Sequence, residues 1–225
     1  MFRDYVEQLV ELNKKFIIIG HQNAIGYVKI FKLIIENKIW LGCSVKSGEL
    51  LFGVPDDYPL SKNGSKIDDN GKRLTRVSGI RWFTNLSHNN RNDKLELTKK
   101  YSQEEYPSYD NYNAINVNRT KDIPMDFNGI MGVPITFIDK YNQNQFEIIG
   151  IANGRFICEA MSTKNYINVR QVNEDGTLGK KDNISNAPVI LLQEQPDRRC
   201  YVADNSDGYL VALYVRLLIK HKIKK

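Results

Sequence analysis

The sequence is poor in the residues from which metal and covalent sites are usually built. Its three cysteines, Cys43, Cys158 and Cys200, are odd in number and lie far apart. They fit neither a disulfide framework nor a paired zinc spacing, and reduced thiols in a cytoplasmic protein are the expectation. The three histidines, His21, His88 and His221, stand near no cysteine, so no metal site is expected. No apolar run approaches the ~18 residues of a membrane span. The longest, Phe16 to Ile19, is strand-sized, and no membrane partner is expected. Arg3, Asp4 and Glu7 replace the basic-then-apolar order of a signal peptide, so none is expected. No G-x-G-x-x-G or G-x-x-x-x-G-K-[ST] loop occurs to cradle a phosphate, and G-x-S-x-G and H-E-x-x-H are missing too. The carboxylate pairs Asp56-Asp57, Asp68-Asp69 and Glu104-Glu105 lie in polar loop sequence, where solvated charge is the common explanation.

What remains is an ordinary globular composition, 41% hydrophobic and 26% charged over 225 residues. That length suits one large domain or two small ones. A net charge of +6 and a pI near 9.1 permit a polyanionic partner without requiring one. Part of the excess sits in the closing LLIKHKIKK, where a basic tail is often only a solubilising end.

The opening residues have the stronger pattern. Phe2, Val6, Leu9, Val10 and Leu12 recur near helical spacing. KKFIIIG follows as a β-branched run closed by Gly20, the pattern of a central strand buried on both faces. GHQNAIG is a polar loop, YVKIFKLIIENK returns to a helical period, and IWLGCSV reads as a second strand. Helix, strand, loop, helix and strand in that order make one repeat of an open α/β sheet. Ligands of such sheets bind outside the carboxyl ends of the strands. This places His21, Gln22 and Asn23 at a candidate pocket edge, although the same side chains would also serve to cap the next helix.

From Gly53 onward the chain changes character. DDNGKR has hairpin chemistry, with Asn70-Gly71 suited to a type I′ turn. VSGIRWFTNL, GVPITFI, FEIIGIANG, INVRQVNEDGTLG, PVILLQEQ and YLVALYVRLLIK read as strands or short mixed elements. The 87–129 stretch is long, polar and dotted with tyrosine, without clear periodicity. The expectation is therefore α/β: residues 1–52 as part of an α/β core, followed by a mixed β-rich region over 53–225 whose last strands return to that core.

Within it, GIRWFTNLSHNNR gathers cationic, aromatic and amide groups: Arg81, Trp82, Phe83, Asn85, Asn89, Asn90 and Arg91. Arg bonds guanine edges and Asn adenine edges in bidentate fashion, at ~1–3 kcal/mol of discrimination each, and aromatics stack on an extruded base. The alternative is that strand alternation buries one of Trp82 and Phe83 while the amides serve turns. For Arg81 and Arg91, a phosphate contact and a surface ion pair both stand open. YPSYDNYNAINVNRTK has the same two readings, with Asn113 as a recognition candidate and Arg119 and Lys121 as phosphate holders. Asp122-Ile123-Pro124-Met125 only faintly resembles a catalytic D-P-P-Y tetrapeptide: its second position is wrong and no strand pattern precedes it.

Several of these blocks occur together in one family. NKKFIIIGHQNAIGYVKIFKLIIENKIWLG, GIRWFTNL, YDNYNAINVNRTKDIPMDFNGIMGVPITFIDKYNQNQFEIIG and LYVRLLIK resemble the EcoRI-type adenine-specific DNA methyltransferases. The resemblance covers most of the chain and is weakest over 61–75 and 160–200. It implies that residues 1–52 are the C-terminal part of a Rossmann-like methyltransferase core and that 53–225 form a target-recognition region. It also implies double-stranded DNA as partner, a restriction-modification setting and S-adenosylmethionine as methyl donor. In the family, the cofactor loop and the catalytic Asn/Asp-Pro-Pro-Phe/Tyr motif precede sequence like FRDYVEQL. Neither occurs here, so the resemblance implies a C-terminal portion, without catalytic residues of its own. A missing N-terminal half or a partner chain would have to supply them. On that basis this chain alone is not expected to methylate DNA. His21, Gln22 and Asn23 would border the flipped base or the cofactor, and Arg81, Trp82, Asn85, Arg91, Asn113, Arg119 and Lys121 are the DNA-binding candidates.

Overall fold

The apolar spacing of the first residues folds as helix α1 (Phe2–Glu11), which buries Val6. In the computed structural model, which describes residues 2–45, 49–59, 64–152 and 162–222, α1 leads into strand β1 (Ile17–His21), a short 3-10 helix (Gln22–Gly26), helix α2 (Val28–Ile35) and strand β2 (Trp40–Leu41). Helix α2 turns Ile30, Phe31, Leu33 and Ile34 inward and packs on α1, where Lys29 bridges to Glu7 and, at 3.2 Å, to Asp4. The expected element order is therefore present.

The sheet is not the one that order predicts. Strands β3 (Glu49–Gly53), β4 (Ser65–Ile67) and β5 (Arg73–Ser78) form a small antiparallel sheet of their own, in the order β3-β5-β4. Strand β6 (Ile80–Thr84) then lies between β1 and β2, antiparallel to both. Strand β1 is thus an edge strand rather than a central one. Ile17 and Ile19 remain 58% and 40% exposed, because only β6 flanks β1 and one face of the run stays open. The buried anchor is Phe83 of β6, edge-to-face with Phe2 at 5.3 Å. Pairing with β6 carries this compact unit past residue 52 to Arg91; a second unit spans 92–225.

The hairpin between β4 and β5 departs from a type I′ turn, which needs positive φ at both central residues. Here Gly71 alone has positive φ, +77°. The Asp68 carbonyl accepts from the Gly71 N–H, and its carboxylate accepts from the N–H groups of Asn70 and Lys72. The carboxylate prefers to bond the turn's own amides, which gives a three-residue loop with a left-handed glycine. Asn173 to Thr177 repeats the device, with Gly176 at φ +81°.

The second unit holds two sheets. One has the order β7 (Ile115–Asn116), β8 (Met131–Pro134), β15 (Arg216–His221), β9 (Phe146–Ala152). The other is antiparallel, built from β10 (Arg170–Val172), β11 (Leu178–Lys181), β12 (Val189–Leu192), β13 (Cys200–Ala203) and β14 (Ser206–Ala212), in the order β11-β10-β13-β14-β12. The last strand, β15, does not join the first unit's sheet; it fills the centre of the four-stranded one, between β8 and β9. Leu217, Leu218 and Ile219 are fully buried there. The expected strand GVPITFI stops at Pro134, which has no N–H for a ladder, and Ile135–Lys140 continues as a 3-10 helix that buries Phe137 and Ile138. Tyr109, Tyr112, Ala114 and Ala152 pack with Ile190 and Leu218 as one core cluster drawn from both sheets. The molecule is thus mixed α/β, mostly β-sheet with few helices. Cys158, the Asn153-Gly154 end of FEIIGIANG and the last three residues of the basic tail lie outside the described residues.

Candidate nucleic-acid interface

In the first unit, most candidate side chains are engaged by the fold. His21 is exposed, and its Nδ1 accepts the Asn23 N–H at 3.1 Å, capping the 3-10 helix. The Gln22 N–H donates to the Gly79 carbonyl, so the loop is pinned to the residue before β6. The Asn23 side chain is exposed and that of Gln22 half-buried. Arg81 is buried opposite Gly20 in the ladder, and its Nη1 donates to the Val45 carbonyl at 2.6 Å. Alternation along β6 buries Phe83 completely and leaves Trp82 half-buried. Asn85 stitches the sheet: its Oδ1 accepts the Phe16 N–H at 3.0 Å and its Nδ2 donates to the Lys14 carbonyl at 2.8 Å. The Arg91 guanidinium stacks 3.5 Å from the centre of the Trp40 ring and reaches Asn37.

In the second unit, Asn113 is exposed at the rim of a concavity of about 430 Å³. Tyr101, Tyr109, Tyr112, Phe127 and Asp110 also line it, with the Tyr101 and Phe127 rings 4.6 Å apart. Asp110 is held by two donors, Lys164 Nζ at 2.8 Å and the Tyr166 hydroxyl at 2.7 Å. Burial, and then that carboxylate, push the Tyr166 phenol well above its ordinary range. Arg119 and Lys121 are exposed on the nearby 3-10 helix (Thr120–Asp122), where Arg119 Nε donates to Asp122 at 2.7 Å.

Three buried polar groups escaped the sequence reading, because their partners lie far away along the chain. The fully buried Asn111 donates from Nδ2 to the carbonyls of Ser185 and Ala187 and accepts the Val189 N–H. The Tyr109 hydroxyl donates to Asn116 Oδ1 at 2.9 Å, and Arg216 Nε reaches the same oxygen at 3.5 Å. Burial raises the Tyr109 phenol, partly opposed by the charge of Arg216. Gly132 makes room for this: a Cβ there would stand 2.2 Å from the Tyr109 hydroxyl oxygen. The one signal in the sequence was the density of Tyr and Asn in YPSYDNYNAINVN.

Charge is unevenly divided. Residues 1–91 hold 14 Lys and Arg against 9 Asp and Glu, whereas 92–225 hold 18 against 17. Contact with a polyanion in the second unit would therefore depend on individually placed donors rather than on a general positive field. Among the described residues, no helix is long and apolar enough to cross a membrane and no group of three or more potential ligands is arranged for a metal.

The sequence profile of the family described as "Adenine-specific methyltransferase EcoRI" matches residues 1–222. The chain is 49% identical over 156 residues to the Type II methyltransferase M.EcoRI of Escherichia coli, covering 68% of this chain and 48% of that protein. It is 36% identical over 200 residues to the Type II methyltransferase M.MgeORF184P of Mycoplasma genitalium, covering 87% and 62%. With M.MpnI of Mycoplasma pneumoniae the figures are 35% over 200 residues, 87% and 61%. The chain thus spans about half to three fifths of the length of these relatives. No solved structure matches it. With a profile match over nearly all of its length, the chain belongs to the family of EcoRI-type adenine-specific methyltransferases.

Proposed function

We propose that this chain supplies the target-recognition portion of a site-specific DNA methyltransferase. That enzyme moves a methyl group from S-adenosylmethionine to adenine N6 in a restriction-modification setting, and residues 1–52 form part of its catalytic core. The observation that carries the reading is the family match over residues 1–222. A concavity that combines aromatic faces with amide and carboxylate groups supports it, since nucleobases are read by stacking and by paired donors and acceptors. Double-stranded DNA is the partner on this reading, with Asn113, Arg119 and Lys121 as contacts in the second unit. Arg81 and Asn85 take a supporting part, because their side chains are spent on the backbone.

By itself the chain binds without chemistry. Its 225 residues contain no Asn/Asp-Pro-Pro-Phe/Tyr tetrapeptide, so nothing here polarises adenine N6, a weak nucleophile, or fixes it in line with a methyl group. Nor do His21, Gln22 and Asn23 fit a cofactor cradle. A cofactor site encloses most of its ligand, whereas His21 and Asn23 face solvent and His21 Nδ1 is taken up by the cap. No step through S-adenosylmethionine is therefore assigned to these residues.

The test uses the purified chain, duplex DNA and S-adenosylmethionine labelled in its methyl group. The expected result is salt-sensitive DNA binding with no label transferred. Transfer by this chain alone would overturn its non-catalytic part, and failure to bind duplex DNA at low salt would overturn the recognition role.

A further inference from the structure

Strands β7 and β8 run parallel, and β15 is antiparallel to both β8 and β9. The carboxyl ends of β7, β8 and β9 therefore share one edge of the four-stranded sheet with the amino end of β15. Asn116, Pro134, Ala152 and Arg216 mark that edge in the ladder. Asn118 follows β7 by two residues and is exposed. Tyr214, two residues before β15, is 91% exposed.

The hydrogen bonds along this edge leave a surface of one polarity. Asn116 Oδ1 faces two donors, the Tyr109 hydroxyl and Arg216 Nε, and Asn116 Nδ2 donates to Asn118 Oδ1 at 2.9 Å. The side-chain acceptors are thus occupied from within. What is left over is the Nη groups of Arg216 and the Nδ2 of Asn118, all donors. Arg216 is half-buried, and among the described residues no carboxylate forms an ion pair with it. A partly desolvated guanidinium that faces only neutral groups gains most from an anion that brings its own charge. An adenine edge needs an acceptor beside a donor, which this surface lacks. A guanine edge would accept from it but would leave the charge uncompensated.

We propose that Arg216 and Asn118, braced by Asn116 and Tyr109, form a clamp for a DNA backbone phosphate. The inference rests on the DNA-recognition reading above and adds to it a specific phosphate contact. In the nearly neutral second unit, such a clamp would set the register of the duplex without reading its sequence. The exposed ring of Tyr214 stands next to it in the chain, where the backbone of the nucleic acid would pass.

The test is fluorescence anisotropy of the 225-residue chain with two labelled duplexes of unrelated sequence, titrated across salt concentrations. Each phosphate contact contributes ~0.9 to the slope of log affinity against log salt. Arg216→Gln is expected to lower that slope by about 1 and to weaken binding at physiological salt about tenfold, equally for both duplexes. Lys220→Gln removes the same charge from the far end of β15, where Lys220 pairs with Glu147, and should leave the slope unchanged. An unchanged slope in Arg216→Gln, with the wild-type chain still bound, would overturn the clamp and spare the DNA reading. So would an equal drop in Lys220→Gln. A loss confined to one duplex would move Arg216 to a base edge and overturn the phosphate assignment. No binding by the wild-type chain would overturn both readings. Should circular dichroism show Arg216→Gln unfolded, Asn118→Ala at its exposed site carries the test: a uniform loss of about threefold is expected, and unchanged affinity overturns the clamp.

Discussion

Replacing Asn111 with alanine probes how the second unit is held together. The side chain is fully buried and ties the 185–189 loop to the tyrosine-rich segment through three backbone bonds: 2.7 Å to the Ala187 carbonyl, 2.9 Å from the Val189 N–H and 3.3 Å to the Ser185 carbonyl. Alanine removes all three and puts nothing in their place. A buried group left without its partner costs ~1–3 kcal/mol. Val189 is fully buried and its N–H would bear that cost in full, whereas the Ala187 carbonyl sits in a half-buried residue and recovers part of it from water. The 3.3 Å bond is long and adds little. The expected loss is therefore about 2–4 kcal/mol, and Asn111→Asp should cost at least as much, since it deletes the donor and buries a charge. Urea unfolding followed by far-ultraviolet circular dichroism measures the loss, and amide exchange at Val189 should quicken by at least ~tenfold. A change below ~0.5 kcal/mol, the range of a neutral surface substitution, would refute this account of the tie.

Three further outcomes follow from the same structure. Phe83→Ala should cost ~3–5 kcal/mol, because the ring is fully buried and packs edge-on to Phe2; Trp40 and Trp82, beside it in the three-stranded sheet, report the transition by fluorescence. Burial raises the phenols of Tyr109 and Tyr166 above the usual tyrosine range. A raised pKa in the folded state gives stability that is complete below ~pH 10 and is lost as the pH climbs above it, so alkaline unfolding should coincide with a late step of tyrosinate absorbance, and Tyr166→Phe should shrink that step. Burial likewise pushes the Cys200 thiol up while Cys43 lies exposed. Brief alkylation of the native protein, read by peptide mass, should modify Cys43 and spare Cys200 until denaturant is added.

The succession of elements in the first 41 residues was legible because it depends on local spacing. The apolar positions of α1 and α2 recur at a helical period, and the β-branched run between them favours an extended chain. The alternation along β6 likewise forecast that one of Trp82 and Phe83 would be buried. Turn chemistry was half legible. DDNGKR and NEDGT announced hairpins, but a carboxylate free to bond the turn's amides chose a loop with one left-handed glycine. The strand expected over GVPITFI failed beyond Pro134 for a reason visible in the sequence, the missing N–H of proline.

Strand partners and the roles of polar side chains belonged to the tertiary structure. Nothing local in IRWFT tells it to lie between β1 and β2, and nothing local in FIIIG tells it that its far edge has no partner. Those outcomes are set by pairings across some 65 residues of chain, as in Phe16 with Asn85. The same distance explains the candidate site. Composition marked Arg81, Asn85 and Asn113 alike as polar groups suited to nucleic acid. Folding buried the first against the Val45 carbonyl, spent the second on Lys14 and Phe16, and left the third exposed at a concavity. Arg216, read only as part of a closing strand, was brought beside Asn116 from 100 residues away. The sequence by itself settled which segments form helices and strands and which family they belong to, because those signals are local or cumulative along the chain. Which polar groups stay free to meet a ligand was decided only in three dimensions, where each buried donor and acceptor had first to be satisfied by the fold.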